Sequence, residues 1–276
     1  MNRINDLITF KQYYSTAAEK IPADSFFHET LNHKFRHSIE VLHWGQYILE
    51  HTPELRDKDN FFRDLAQKAL LFHDVGRFEE AVRRYETVQN GVNLTDTLQL
   101  CDHGRIGFEL LQNRPSYNDM RILFSLLWHG KMMEDVVNSV MFDELKDTPY
   151  FKETMLILRL VRDADKLANL RVNKELDHLR QDIFYKQLSA EILNAPISTD
   201  VMNRFLSHQV IISSSLRSFA DRIIMVISWF FDLNYKISKK IFKQQHYADF
   251  FLEMLSQYHK NPRDITQIKD CINHEL

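Results

Sequence analysis

The sequence predicts an all-α protein. Apolar residues recur with the helical period along most of the 276 residues, and glycine and proline number only 6 each. A protein built from β-sheets needs turn residues more often than that. No shift in composition marks a linker, so we expect a single domain over residues 1–276. A chain of this length can bury a large apolar core without disulfides.

Five segments of helical periodicity are predicted in the first half of the chain. They cover residues 4–20, 30–50, 60–75, 102–112 and 117–129. Gly76 follows the third segment, where a C-cap glycine is expected, and Asp102 opens the fourth as an N-cap residue. Residues 85–100 lack a clear period and predict a long loop, either a cover over a pocket or a solvated surface segment.

The second half of the chain is predicted to continue as helices. A long helix covers residues 150–172, and residues 176–276 predict three or four more, with breaks at Pro196 and Pro262. The most apolar stretch, residues 223–233, is too short to cross a membrane and predicts a buried helix.

Charge and cysteine content exclude several classes of protein. A net charge of -3 gives no basic field for nucleic acid, and residues 1–10 lack the apolar run of a signal peptide. Cys101 and Cys271 are isolated, which argues against a cysteine zinc site and suits a reducing compartment. We therefore expect a cytoplasmic protein with no membrane partner, either a monomer or a homodimer.

The adjacent residues His73 and Asp74 are the first candidate for chemistry. They follow an apolar run, residues 69–72, and burying them without partners would cost several kcal/mol. A metal ion removes that cost, because imidazole nitrogen and carboxylate oxygen then become ligands. Taken alone, the pair is equally a chance dipeptide at a solvated helix end.

Four more potential ligands lie near helix ends or beside apolar stripes, where a helical bundle can aim them into one pocket. They are His37, His103, His129 and Asp165. With their local contexts, Arg-His-Ser at 36–38, Leu-Phe-His-Asp-Val-Gly-Arg at 71–77 and Asp-Ala-Asp-Lys-Leu at 163–167, residues 26–175 resemble the HD superfamily of metal-dependent phosphohydrolases. The resemblance implies a core of about five helices around the metal. Residues 176–276 would then form a C-terminal helical extension.

The resemblance also implies a ligand set. His37, His73, Asp74 and Asp165 would bind the metal, with Asp74 able to bridge two ions. His103 and His129 occupy the places of the extra histidines of two-metal members, or else one or both donate hydrogen bonds to the ligands of a single ion. Asp163 competes with Asp165, but the two point about 200° apart on a helix, so only one faces the site. Mixed ligands of this kind suit one or two ions of Mn, Fe, Co, Ni or Zn, with Mg as a further option.

The implied activity is hydrolysis of a phosphate ester or anhydride in a small, nucleotide-like phosphorylated substrate by metal-activated water. Arg77 is the first candidate to bind the phosphate, then Lys131, then Arg105. Glu79 and Glu80 are expected to be solvated charges. Two alternatives stay open: a di-iron oxygenase of the same superfamily, and a non-catalytic metal-binding regulatory module.

Overall fold

The computed structural model describes residues 3–93, 102–175 and 189–275, and every regular element in these ranges is a helix. The predicted all-α fold is confirmed. By its internal contacts the chain divides into two compact units, Met1–Asp165 and Lys166–Leu276. The prediction of one domain over residues 1–276, with a metal-binding core over 26–175, stays a prediction.

The five helices that the sequence predicts in the first half of the chain are present and begin within four residues of their predicted starts, and the described residues of the first unit contain four further helices that were not predicted. They are α1 (Arg3–Ala18), α2 (Phe26–His51), α3 (Pro53–Arg56), α4 (Asn60–Phe72), α5 (Gly76–Gln89), α6 (His103–Leu111), α7 (Met120–Trp128), α8 (Met133–Val137) and α9 (Val140–Leu145). Helix α10 (Phe151–Glu175) begins in this unit and ends in the second.

Helix α4 lies in the interior of the first unit, as the burial of nearly all its apolar side chains shows. The side chain of Asp59 caps its start by accepting a hydrogen bond from the amide of Phe62. At its other end the ring of Phe72 packs between those of Phe10 and Tyr117, with centroid distances of 5.5 and 4.8 Å. This aromatic packing fixes the end of α4, directly before His73 and Asp74.

The predicted role of Gly76 as a C-cap was wrong. Helix α4 ends at Phe72, and Gly76 is the first residue of α5. A Cβ atom on Gly76 would collide with the carbonyl oxygen of His103 and the amide nitrogen of Gly107. Gly76 is needed for the close approach of α5 to α6, which brings His103 near Asp74.

The predicted loop over residues 85–100 was wrong in its first part, because α5 continues to Gln89. Its later part, together with Cys101, lies outside the described residues, which resume at Asp102. The prediction that this segment covers a pocket therefore stays a prediction for residues 94–100.

The second unit contains more and shorter helices than predicted. Its described residues form α11 (Ala190–Asn194), α12 (Thr199–Leu206), α13 (Phe219–Ser228), α14 (Lys236–Gln244), α15 (Tyr247–Tyr258) and α16 (Pro262–Glu275). The expectation of three or four helices over 176–276 was wrong. Pro196 does separate two helices, whereas Pro262 is the first residue of α16, where its missing N–H is not needed.

Helix α13 is almost entirely buried, as expected for residues in the most apolar stretch. It begins with a capping box in which Ser218 and Asp221 each bond the other's backbone amide. Across the part of the chain that the structure describes, no helix is both long and apolar enough to cross a membrane.

Candidate metal centre

The carboxylate of Asp74 lies at the centre of four imidazole rings. Its Oδ1 is 3.4 Å from Nε2 of His103 and 3.4 Å from Nε2 of His129. Its Oδ2 is 3.7 Å from Nε2 of His73 and 3.9 Å from Nε2 of His37. All four rings therefore present the same nitrogen to one carboxylate, which is only 3% exposed.

His73 and His129 reach Asp74 by the same local arrangement. Each residue directly follows a helix, His73 after α4 and His129 after α7. In each, Nδ1 lies 2.9 Å from a carbonyl oxygen three residues back, that of Leu70 or Leu126. Because a carbonyl oxygen only accepts, Nδ1 carries the proton and donates it. Nε2 is then left with a lone pair that can bind a metal.

His37 and Asp165 close the other side of the cluster. His37 lies on α2 and Asp165 on α10, and Nε2 of the histidine is 2.9 Å from Oδ1 of the aspartate. The same Oδ1 is 3.8 Å from Nε2 of His73. Asp163, the rival position on α10, is fully buried, and the cluster contains Asp165.

His103 is placed by the start of α6. The side chain of Asp102 caps this helix by accepting from the amide of Arg105, and His103 is its first residue. The Nε2 atoms of His103 and His129 are 3.3 Å apart. Gly104 allows α6 to press on α7, since a Cβ there would lie 2.8 Å from the carbonyl oxygens of Leu126 and Leu127.

Two cations balance the charge of Asp74. The ammonium of Lys34, on α2, is 3.1 Å from Oδ2, and Nε of Arg77 is 3.6 Å from Oδ1. Burial alone would raise the pKa of the Asp74 carboxyl, but Lys34, His73, His129 and Arg77 hold that pKa well below its usual value. Asp74 is therefore a carboxylate at any physiological pH.

Arg77 is itself held by Glu80. Its Nη1 donates to Oε2 of Glu80 over 2.7 Å, and Glu80 is 3% exposed. The expectation that Glu80 is a solvated charge was wrong, because it orients the cation that faces Asp74. Sequence reasoning also missed Lys34, although its position one helical turn before His37 was a usable clue.

The pKa values of His73 and His103 favour neutral rings, which is the form that binds a metal. Burial lowers the pKa of His73 to about 4. Burial and the nearby Arg77 also lower the pKa of His103 well below its ordinary value. For Asp165, burial alone would raise the pKa, but the hydrogen bond from His37 and the nearby His37, His73 and His129 rings together keep that pKa well below its usual value. Neutral imidazoles beside charged carboxylates are the protonation states that a metal ion requires.

The other two predicted cations lie further out. The ammonium of Lys131 pairs with Asp102 at 2.7 Å, and both side chains are about two-fifths exposed, at 42% and 39%. Arg105 pairs with Glu109 on the surface, with 75% of its side chain exposed. The structure brings Arg77 and Lys34, rather than Lys131 or Arg105, into contact with Asp74.

The donor set fits a divalent metal. Within the described residues, Nε2 of His73 and Nδ1 of His37 are buried without a hydrogen-bond partner. Two groups of ligand atoms, His37 with His73 and Asp165, and His73 with Asp74 and His129, each lie within 4.8 Å of one another. Nitrogen and oxygen donors of this mixture suit first-row transition metals.

Comparison with known protein families matches residues 35–170 to the HD domain. The matched range begins two residues before His37 and ends five residues after Asp165, so it contains all six clustered residues. No curated protein and no solved structure matches the chain.

Proposed function

This chain belongs to the HD-domain superfamily, whose members are mostly metal-dependent phosphohydrolases, and we propose that it hydrolyses a phosphate ester or anhydride of a small, nucleotide-like substrate. The observation that carries the proposal is the convergence of four imidazoles on Asp74, two of which, those of His37 and His73, also face Asp165. A buried cluster of histidines beside two charged carboxylates is a suitable site for divalent ions.

The arrangement supports two ions rather than one. His37, His73 and Asp165 form one group of ligand atoms, and Asp74 and His129 form another with the same His73, whose single Nε2 lone pair can bind only one of the two ions. Both oxygens of Asp74 face imidazoles, with His103 and His129 near Oδ1 and His37 and His73 near Oδ2. A carboxylate with ligands on both sides can join two ions, so we assign Asp74 as the bridge.

The reaction needs a nucleophile and a means of neutralising phosphate charge. Divalent ions supply Lewis acidity and lower the pKa of water, so that hydroxide forms near neutral pH. Because its pKa is held so low, Asp74 is a weak base. Its role is therefore to bind and to carry charge, rather than to accept the proton of the attacking water.

Lys34 and Arg77 are the best-placed groups to bind phosphoryl oxygens. Their side chains are 21% and 30% exposed, and both lie beside Asp74. Arg77 has Glu80 to orient it, so its guanidinium is preorganised, whereas Lys34 provides a mobile point charge. A role for Lys131 stays a prediction, and its partner Asp102 would have to release it first.

The test is a substrate panel on protein loaded separately with Mn²⁺, Co²⁺, Fe²⁺, Ni²⁺, Zn²⁺ and Mg²⁺. The panel contains p-nitrophenyl phosphate, bis-p-nitrophenyl phosphate and nucleoside mono-, di- and triphosphates, and released phosphate or nitrophenol is measured. We expect turnover that His73→Ala and Asp74→Ala abolish. His43→Ala is the matched control, because His43 is exposed on α2 and outside the cluster. Hydrolysis that survives both site variants would refute the proposal.

The same six residues would also serve a di-iron oxygenase. Iron-loaded protein that consumes O2 while releasing no phosphate from any ester in the panel would favour that activity. Protein that binds no transition metal would instead favour a non-catalytic module. Hydrolysis is the preferred proposal because most members of the superfamily are phosphohydrolases; Lys34 and Arg77 would also suit an anionic oxygenase substrate.

A further inference from the structure

Arg162 is a buried cation that binds the end of a helix carrying a ligand. It lies on α10 one helical turn before Asp165 and is 3% exposed. Its Nη1 donates to the carbonyl oxygens of Trp128 at 3.3 Å and His129 at 2.9 Å. It also donates to the carbonyl oxygen of Lys131. Three carbonyl groups at the C-terminal end of α7 therefore converge on one guanidinium nitrogen.

A helix end in this position needs such a partner. The last carbonyl groups of an α-helix have no donor within the helix, and they carry the negative end of its dipole. On a surface, water would satisfy them, but His129 is only 4% exposed. A guanidinium supplies both the N–H donors and the positive charge, so the chain path through His129 depends on Arg162.

The contact also relates two of the clustered side chains to each other. His129 is held at its ring by Leu126, through Nδ1, and at its backbone by Arg162. Because Asp165 follows Arg162 by one turn on α10, a single side chain fixes His129 relative to Asp165. We propose that Arg162 is a positioning residue of the metal centre, which sets the place of His129 so that its Nε2 reaches the ion shared with Asp74.

This inference rests on the metal-binding part of the proposed function and not on the reaction. It also explains why arginine occupies the position. A guanidinium presents several N–H donors in a fixed plane, whereas lysine offers one ammonium on a flexible stem. Arg162→Lys should therefore keep the positive charge but lose the fixed planar set of N–H donors. Arg162→Gln should lose both the charge and that set of donors.

The experiment is a Co²⁺ titration of metal-stripped protein, read by visible absorption and by bound metal per chain. Arg162→Gln should weaken Co²⁺ binding by about 10- to 100-fold and change the ligand-field bands, as loss of an orienting partner does. Arg162→Lys should have a smaller effect in the same direction. Arg204→Gln is the matched control, because Arg204 also donates to a carbonyl, that of Val210 at 3.4 Å, but lies in the second unit. Its spectrum should match the wild type.

The decisive comparison is a double-mutant cycle with His129→Ala. If Arg162 acts through His129, Arg162→Gln should cause no further loss of Co²⁺ affinity in the His129→Ala background. An equal loss in both backgrounds, or an unchanged spectrum in the single variant, would overturn the inference. Where Arg162→Gln does not fold, the cycle is run with Arg162→Lys and judged in the same way.

The cycle is independent of any catalytic assay. Wild-type protein that binds no Co²⁺ would overturn the metal centre and this inference together. Protein that binds Co²⁺ with non-additive losses but hydrolyses nothing would support Arg162 as a positioning residue and refute only the reaction.

Discussion

Lys34 and the proposed divalent ion would neutralise the same carboxylate, that of Asp74, and this competition makes a quantitative prediction. The ammonium of Lys34 lies 3.1 Å from Oδ2 of Asp74. Replacing it by methionine keeps much of the apolar stem and removes the charge. We expect Lys34→Met to destabilise the metal-free protein and to tighten metal binding.

The magnitude follows from the geometry of the pair. Two unit charges 3.1 Å apart interact by about 5 kcal/mol at an effective dielectric constant of 20. Arg77 remains 3.6 Å from Asp74 in the variant, and Lys34 is 21% exposed, so both reduce the net loss. We expect a net cost of about 2 kcal/mol, between the values for exposed and for fully buried pairs.

The metal-loaded protein should lose almost nothing, because the ion itself then compensates Asp74. A thermodynamic cycle converts that difference of about 2 kcal/mol into metal binding about 30-fold tighter in Lys34→Met. The assay is urea unfolding with and without saturating Co²⁺, together with a Co²⁺ titration of both proteins.

Lys68→Met is the matched control for this prediction. Lys68 pairs with Asp64 at 2.8 Å outside the cluster, and its side chain is 15% exposed, close to the 21% of Lys34, whereas Asp64 is more exposed than Asp74, at 24% against 4%. Lys68→Met should lower the free energy of unfolding by the same amount with and without Co²⁺. A Lys34→Met protein that is destabilised equally in both states, or that binds Co²⁺ more weakly, would refute the reasoning.

Three further perturbations test the cluster and its supports. Asp165→Asn should lower Co²⁺ affinity at least about 10-fold, whereas Asp163→Asn should keep the Co²⁺ spectrum; the reverse result would reassign the ligand. Gly76→Ala should lower the free energy of unfolding in urea by about 1–3 kcal/mol, because the new Cβ collides with α6. Gly91→Ala should lower it by only about 1 kcal/mol, because a Cβ there meets nothing within 4 Å and the cost comes from the positive φ alone. Because His73 folds as a neutral ring with its pKa lowered from 6.5 to about 4, the unfolded chain takes up that proton first. Above pH 6.5 this linkage should leave the free energy of unfolding of the metal-free protein unchanged. As the pH falls from 6.5 toward 4, that free energy should decrease by about 3 kcal/mol. His73→Asn should remove that loss, and an unchanged pH slope would contradict it.

The six clustered residues are found from the sequence because each occurs in a short local pattern. His73 and Asp74 follow an apolar run, and Asp165 lies in an apolar helix, so their neighbours indicate their surroundings. Helix ends are harder to predict from the sequence. Gly76 follows an apolar helical segment, as a C-cap glycine would, and yet it is the first residue of α5. Its actual role depends on the backbone of His103, which no local pattern describes.

The supporting residues are missed for a different reason. Lys34, Glu80 and Arg162 are common residue types on helices, where a solvated charge is the ordinary expectation. Each acquires its role from a contact across the chain or a helix turn, such as Arg162 with the carbonyl group of His129 over 33 residues. The helices of the second unit were undercounted because breaks without proline or glycine leave little trace in a periodic pattern.

Convergence of the proposed ligands from distant parts of the chain has a consequence for the lifetime of the protein. His37 and Asp165 are separated by 128 residues, so only the folded first unit brings them together. An ion that binds the native chain and not the unfolded one adds about 1.4 kcal/mol of stability for each tenfold rise in its free concentration above the Kd. Chains made when metal is scarce would unfold more often and be degraded sooner. The amount of this protein in a cell would then follow the metal supply, even at a constant rate of synthesis.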